Sequence, residues 1–151
     1  MSKRWKVEQV FSDSDTQNYN ESTLFLTINP NQMANEEELD FMKDVMSHML
    51  NDNLDKIVYL VQAGQKLTFE DLEEYMVGNI KVRVKYEVGS RYNRAHVHVK
   101  LQCLLKDRGS MMHLDLPKVR AFLKEQYEYN VYVNVDAAQN SNFNIDRYIS
   151  K

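Results

Sequence analysis

The sequence predicts an α+β domain, a central antiparallel sheet of about five strands with helices packed on its apolar face. Residues 80–88 and 94–105 alternate apolar and polar side chains, the period of two that marks strands with one face against a core. Residues 34–50 instead repeat apolar side chains every three and four positions, the spacing of an amphipathic helix. The chain of 151 residues shows no internal repeat, low-complexity tract or composition break. It is therefore read as one domain spanning residues 1–151, long enough for a real core and short for two ordinary domains.

Taken in order, residues 1–22 are rich in loop formers (Ser12, Asp13, Ser14, Asp15, Asn18) and read as a loosely ordered lead-in. Residues 24–28 form a short apolar strand ended by the turn residues Asn29, Pro30 and Asn31. Leu39, Met42, Val45, Met46 and Met49 line one face of the first helix, where methionine most often fills core space. Residues 56–61 read as a strand, and Thr68 with Glu70 and Asp71 opens an acidic helix ending near Gly78. In residues 80–88, Ile80, Val82, Val84, Tyr86 and Val88 share one face, opposite Lys81, Arg83, Lys85 and Glu87. After turn material at residues 89–93, Ala95, Val97, Val99, Leu101, Cys103 and Leu105 share a face, opposite His96, His98, Lys100 and Gln102. Two such strands around a short loop make a β-hairpin. Pro117 opens a helix running to Tyr127, and Val131, Val133 and Val135 mark a last strand. Ser141 or Asn142 can cap a closing helix carrying Phe143, Ile145, Tyr148 and Ile149.

Composition excludes several classes. With 43% hydrophobic and 27% charged residues the chain falls among soluble globular domains. No apolar run approaches the roughly 20 residues that cross a bilayer, and no apolar segment follows the N-terminus as a secretory signal requires. The expectation is therefore a protein that is neither secreted nor membrane-bound. One cysteine, Cys103, excludes an internal disulfide framework and fits a reducing compartment. The net charge of −3 argues weakly against nucleic-acid binding, but acids dominate residues 36–74 and bases dominate residues 81–108. Such runs are most often solvated faces. Here the basic run coincides with the hairpin, which favours a phosphate-binding surface.

In the hairpin, setting Glu87 opposite His96 also sets Lys85 opposite His98, so the two histidines and Glu87 share one rigid polar face. Two imidazoles and a carboxylate are a plausible divalent-metal site with positions left for substrate. His-x-His alone is a weak signal, and an exposed pair on a strand more often faces solvent. His48 and His113 have no such company and read as surface residues. Tyr148 and Lys151 are spaced i, i+3, one helical face. A tyrosine there usually packs; beside a cation it can be a nucleophile.

The order of these pieces is more specific than any one of them. Leu24-Phe-Leu-Thr-Ile-Asn-Pro30, His96-Val-His-Val-Lys-Leu-Gln102 and Tyr148-Ile-Ser-Lys151 follow one another along the chain. The set resembles the three motifs of the HUH replication initiators (Rep proteins) of rolling-circle replicons, especially those of circular single-stranded DNA viruses. The resemblance spans residues 24–151 and implies a five-stranded, RRM-like sheet. It also implies that Glu87, His96 and His98 hold Mg²⁺ or Mn²⁺, with Gln102 in support. Tyr148 would be the nucleophile, with Lys151 positioning or neutralising the phosphate. Arg83, Lys85, Arg91, Arg94 and Lys100 are the candidate DNA contacts.

The implied activity is nicking and joining of single-stranded origin DNA through a 5′-phosphotyrosine, initiating rolling-circle replication. The segment between the first two motifs is longer than in compact members of the family. Larger members continue into a superfamily 3 helicase, and no Gly-x-x-x-x-Gly-Lys loop occurs here. The expectation is a nuclease domain excised from such a protein, a homo-oligomer at full length, acting in a host nucleus if the virus is eukaryotic and otherwise in the cytoplasm. A single-tyrosine transposase is the rival within the same chemistry, but its tyrosine helix typically offers Gln where this chain has Lys151. A non-catalytic RRM-like binder is the rival outside it, and that module needs exposed aromatics on its central strands.

Overall fold

The computed structural model describes residues 19–33, 35–89 and 94–137. Its chain order is β1 (Asn20–Met33), α1 (Glu36–Ser47) with a π-helical turn (His48–Asp52), α2 (Leu54–Ile57), β2 (Val58–Gln62), β3 (Gln65–Lys66) and α3 (Phe69–Tyr75). There follow β4 (Met76–Val88), β5 (Arg94–Leu105), β6 (Ser110–Leu114), α4 (Leu116–Tyr127) and β7 (Tyr132–Ala137). The class is α+β, as the alternation predicts. Among the described residues the strands make two antiparallel sheets in place of one five-stranded sheet: β4-β5-β1-β7 and a smaller β3-β2-β6.

Local chemistry explains the helix starts. Asn35 caps α1, its side chain accepting from the Glu38 amide at 2.8 Å, and Glu36, Glu37 and Glu38 sit at the positive end of the helix dipole. Thr68 and Asp71 form a reciprocal capping box on α3. Asp115 accepts from the Lys118 amide at 3.3 Å at the start of α4. Between β2 and β3 the chain turns on two residues, Ala63 and Gly64, both with positive φ (51° and 79°), the backbone that a two-residue hairpin requires.

Several boundaries differ from the sequence expectation. The lead-in ends sooner, because β1 starts at Asn20. The turn residues Asn29–Asn31 do not end that strand. They form an irregularity inside it, with Asn31 at φ 60° and its amide held by the Asn29 side chain at 2.8 Å. Residues 56–61 split between α2 and β2, and β2 pairs with β6 instead of joining the main sheet. The strand β6, Ser-Met-Met-His-Leu, carries no clean alternation to mark it in the sequence. The acidic helix stops at Tyr75, and Gly78 lies in β4 at φ 76° where the register with β5 shifts. The expected closing helix and most of residues 1–22 lie outside the described residues.

One apolar cluster joins the layers. Leu24, Leu26, Ile28, Val97, Val99, Leu101 and Val133 of the main sheet meet Met42, Val45 and Met46 of α1, Val119 and Leu123 of α4, and Leu60 and Met112 of the small sheet. No helix among the described residues is long and apolar enough to cross a membrane. Cys103 is free and fully buried in this cluster, and burial pushes its thiol up to about 12. The thiolate, the reactive form, is thus unavailable at ordinary pH. The native protein at pH 8 should take up no iodoacetamide over a period that fully labels the denatured chain, as read by intact mass. Equal labelling rates in the two states would contradict this packing.

Candidate metal centre

The hairpin register is the one the sequence predicts. Across β4 and β5, Glu87 pairs with His96 and Lys85 with His98. On the other side of β5, Thr27 of β1 pairs with His98, and Asn134 of β7 pairs in turn with Thr27. Because Ala95, Val97 and Val99 are buried in the core, strand alternation turns His96 and His98 to the opposite face. There the two imidazoles converge on one oxygen. Glu87 Oε2 lies 2.9 Å from His96 Nε2 and 3.2 Å from His98 Nε2. One ligand atom from each residue fits within a 4.8 Å span.

The face is less open than its polar sequence suggests. His98 is only 5% exposed and Lys100 only 7%. His98 stacks on the Phe25 ring, with centroids 5.5 Å apart and planes 6° from parallel, and presents an edge to His96 at 5.0 Å. Desolvation works to raise the Glu87 carboxyl, but hydrogen bonds from His96 and His98, together with their charge, outweigh it and hold the group below its usual range. Burial lowers His98, and the neighbouring His96 and Lys85 add to that effect against the pull of Glu87. Both shifts favour the metal-ready states, an ionised carboxylate and a neutral imidazole.

Thr27 completes the arrangement. Its Oγ1 lies 3.1 Å from His98 Nδ1. An ionised Glu87 only accepts, so His98 contributes Nε2–H to it and Nδ1 accepts from the hydroxyl. A ligating Nε2 must carry no hydrogen, which moves the proton to Nδ1, and the same hydroxyl then accepts it. Thr27→Val keeps the branched shape and removes that acceptor. Affinity for Mn²⁺ should fall about 10- to 100-fold, measurable by titration calorimetry; an unchanged affinity would remove Thr27 from the site. Nothing in the sequence alone singled out Thr27, because the pairing of β1 with β5 spans some 70 residues and is invisible to local alternation.

The remaining expected residues are distributed unequally. Lys85 Nζ lies 3.5 Å from Glu87 Oε1, beside the triad. Arg83 pairs in register with Lys100, and Lys81 with Gln102. Gln102 is not brought to the triad. It is four residues along β5 from His98, about 13 Å at strand rise, and its amide donates to Glu21. Arg94 is exposed. Arg91, Tyr148 and Lys151 lie outside the described residues.

Two imidazole nitrogens and a carboxylate oxygen lie close enough together to hold a metal ion. No protein-family model, curated protein or solved structure matches the chain.

Proposed function

We propose that this domain nicks and rejoins single-stranded DNA at a replication origin, as an HUH nuclease of the rolling-circle type. The observation that carries the reading is the convergence of His96 and His98 on Glu87 Oε2, on a sheet face that also bears Lys81, Arg83 and Lys85 and, by alternation with His96, Arg94. A divalent ion held by that triad supplies positive charge beside a phosphate oxygen, where negative charge grows during displacement. The basic side chains of β4 and β5 draw the phosphodiester backbone to the face.

Tyr148 supplies the nucleophile in this reading. Its oxygen forms a bond to phosphorus as the bond from phosphorus to the 3′-oxygen breaks, and the phenolic proton ends on the released 3′-hydroxyl. One phosphodiester replaces another, so reversal by an incoming 3′-hydroxyl rejoins the strand without ATP. A free tyrosine ionises near about 10, and Lys151 offers the charge that favours the phenolate.

The test uses Mn²⁺ and a degenerate pool of end-labelled single-stranded oligonucleotides. A protein–DNA adduct stable on a denaturing gel is expected, absent with EDTA and absent when the selected sequence is presented as relaxed duplex. Binding of the single strand should weaken steeply with salt. Equal cutting of paired and unpaired DNA, or no adduct across the pool, would overturn the proposal.

A further inference from the structure

The outward side of β7 holds an aromatic residue that the reading above does not use. Val131 and Val133 are buried in the core, so Tyr132 between them points to the opposite face, the one that carries the triad. Tyr132 is 67% exposed, the most exposed of the large hydrophobic side chains among the described residues. It pairs with Asn29 of β1. Asn29 begins the irregular stretch of β1 between Ile28, opposite Val97, and Gln32, opposite Ala95, and His96 lies between those two partners. Tyr132 therefore lies across β1 from His96, two strand spacings away, or about 10 Å.

This phenol ring lies in the same lateral zone as a phosphate-directed metal triad, beyond which the same face of β4 and β5 carries Lys81, Arg83, Lys85 and Arg94. A ligand that matches both halves has anionic phosphates and flat apolar faces. Single-stranded DNA has both, and its bases stack on aromatic rings in a sequence-tolerant way. The span of about 10 Å equals roughly three stacked nucleotide steps, and fewer where the strand is stretched.

We infer that Tyr132 is a stacking platform for a base one to three nucleotides from the phosphate held at the Glu87–His96–His98 triad. The platform rests on the nuclease reading for the position of that phosphate, and it fixes the direction of the strand across the sheet, from β4 and β5 over β1 to β7. Tyr132 thereby positions the substrate and takes no part in the chemistry.

The experiment measures binding of labelled oligo-dA of about 12 nucleotides, within the usual single-strand site size, and of an abasic backbone of the same length. Both are titrated in EDTA so that no cleavage intervenes. Tyr132→Ala should bind oligo-dA about 5- to 100-fold more weakly than the unaltered protein and should bind the abasic backbone equally well. Tyr132→Phe should behave as the unaltered protein on both. A high exposure predicts unchanged thermal stability for either variant, which is checked in parallel. Equal affinity of Tyr132→Ala for oligo-dA, or an equal loss on both ligands, overturns the platform. Adduct formation with no base-dependent loss overturns the platform alone, whereas base-dependent loss in a protein that forms no adduct overturns the nicking chemistry.

Discussion

His96→Ala is expected to abolish strand cleavage while leaving the fold and single-strand binding nearly unchanged. The His96 side chain is a quarter exposed and rests against Glu87 and the edge of His98, so its removal leaves no core cavity. What it removes is one of three donors, and with it the charge that a bound ion places at the phosphate. Losing one preorganised electrostatic contact of that kind costs about 10²- to 10³-fold in rate, and losing the ion costs more. His98 needs a different substitution. It is buried and stacked on Phe25, so His98→Ala risks a packing defect; His98→Gln retains volume and a polar end. Adduct yield with Mn²⁺ and ion binding by calorimetry should fall together in both variants. Normal nicking by either one would remove the triad from the mechanism.

The sequence made the hairpin legible and much of its surroundings not. Residues 80–88 and 94–103 alternate, and a short connection sets their register, so the sequence alone puts Glu87 opposite His96 and Lys85 opposite His98. Three helices were legible, the first from its apolar period over residues 34–50 and the others from Thr68 and Pro117, whereas the short helix Leu54–Ile57 was not. Long-range pairing was not. Thr27 and Phe25 reach His98 only because β1 lies between β5 and β7, and no local pattern encodes that order. The small sheet was missed for a related reason. Its β6 strand, Ser-Met-Met-His-Leu, mixes apolar and polar residues without a clear period, and its partner β2 is only five residues long. Tyr132 could have been found: Val131, Val133 and Val135 mark the last strand in the sequence, and alternation puts Tyr132 on the face opposite to them. Gln102 was placed by motif order, and strand geometry separates it from the histidines.

Tyr148→Phe is expected to eliminate the covalent adduct completely while single-strand binding survives. The substitution deletes one oxygen and keeps the ring, so whatever packing the ring provides is retained, and the atom that bonds to phosphorus is lost. No partial activity is expected, because a phenyl group has no lone pair to offer. Lys151→Ala should instead slow the reaction and leave some adduct, since an ammonium tunes charge and forms no bond. Mass spectrometry of the trapped complex should place the nucleotide on the peptide that contains Tyr148. The described tyrosines supply the controls. Burial pushes the Tyr127 phenol well above its ordinary range, with Tyr129 and Glu38 adding to the effect, and its side chain is only 6% exposed. Tyr129 donates its hydroxyl to the Pro30 carbonyl at 2.6 Å. Tyr132 is 67% exposed and its backbone lies two strand spacings from His96, about 10 Å, where its ring serves as a stacking platform and not as the nucleophile. Phenylalanine at any of these three positions should leave the adduct intact. A nucleotide recovered on Tyr127, Tyr129 or Tyr132 would show that the third motif had been assigned to the wrong tyrosine.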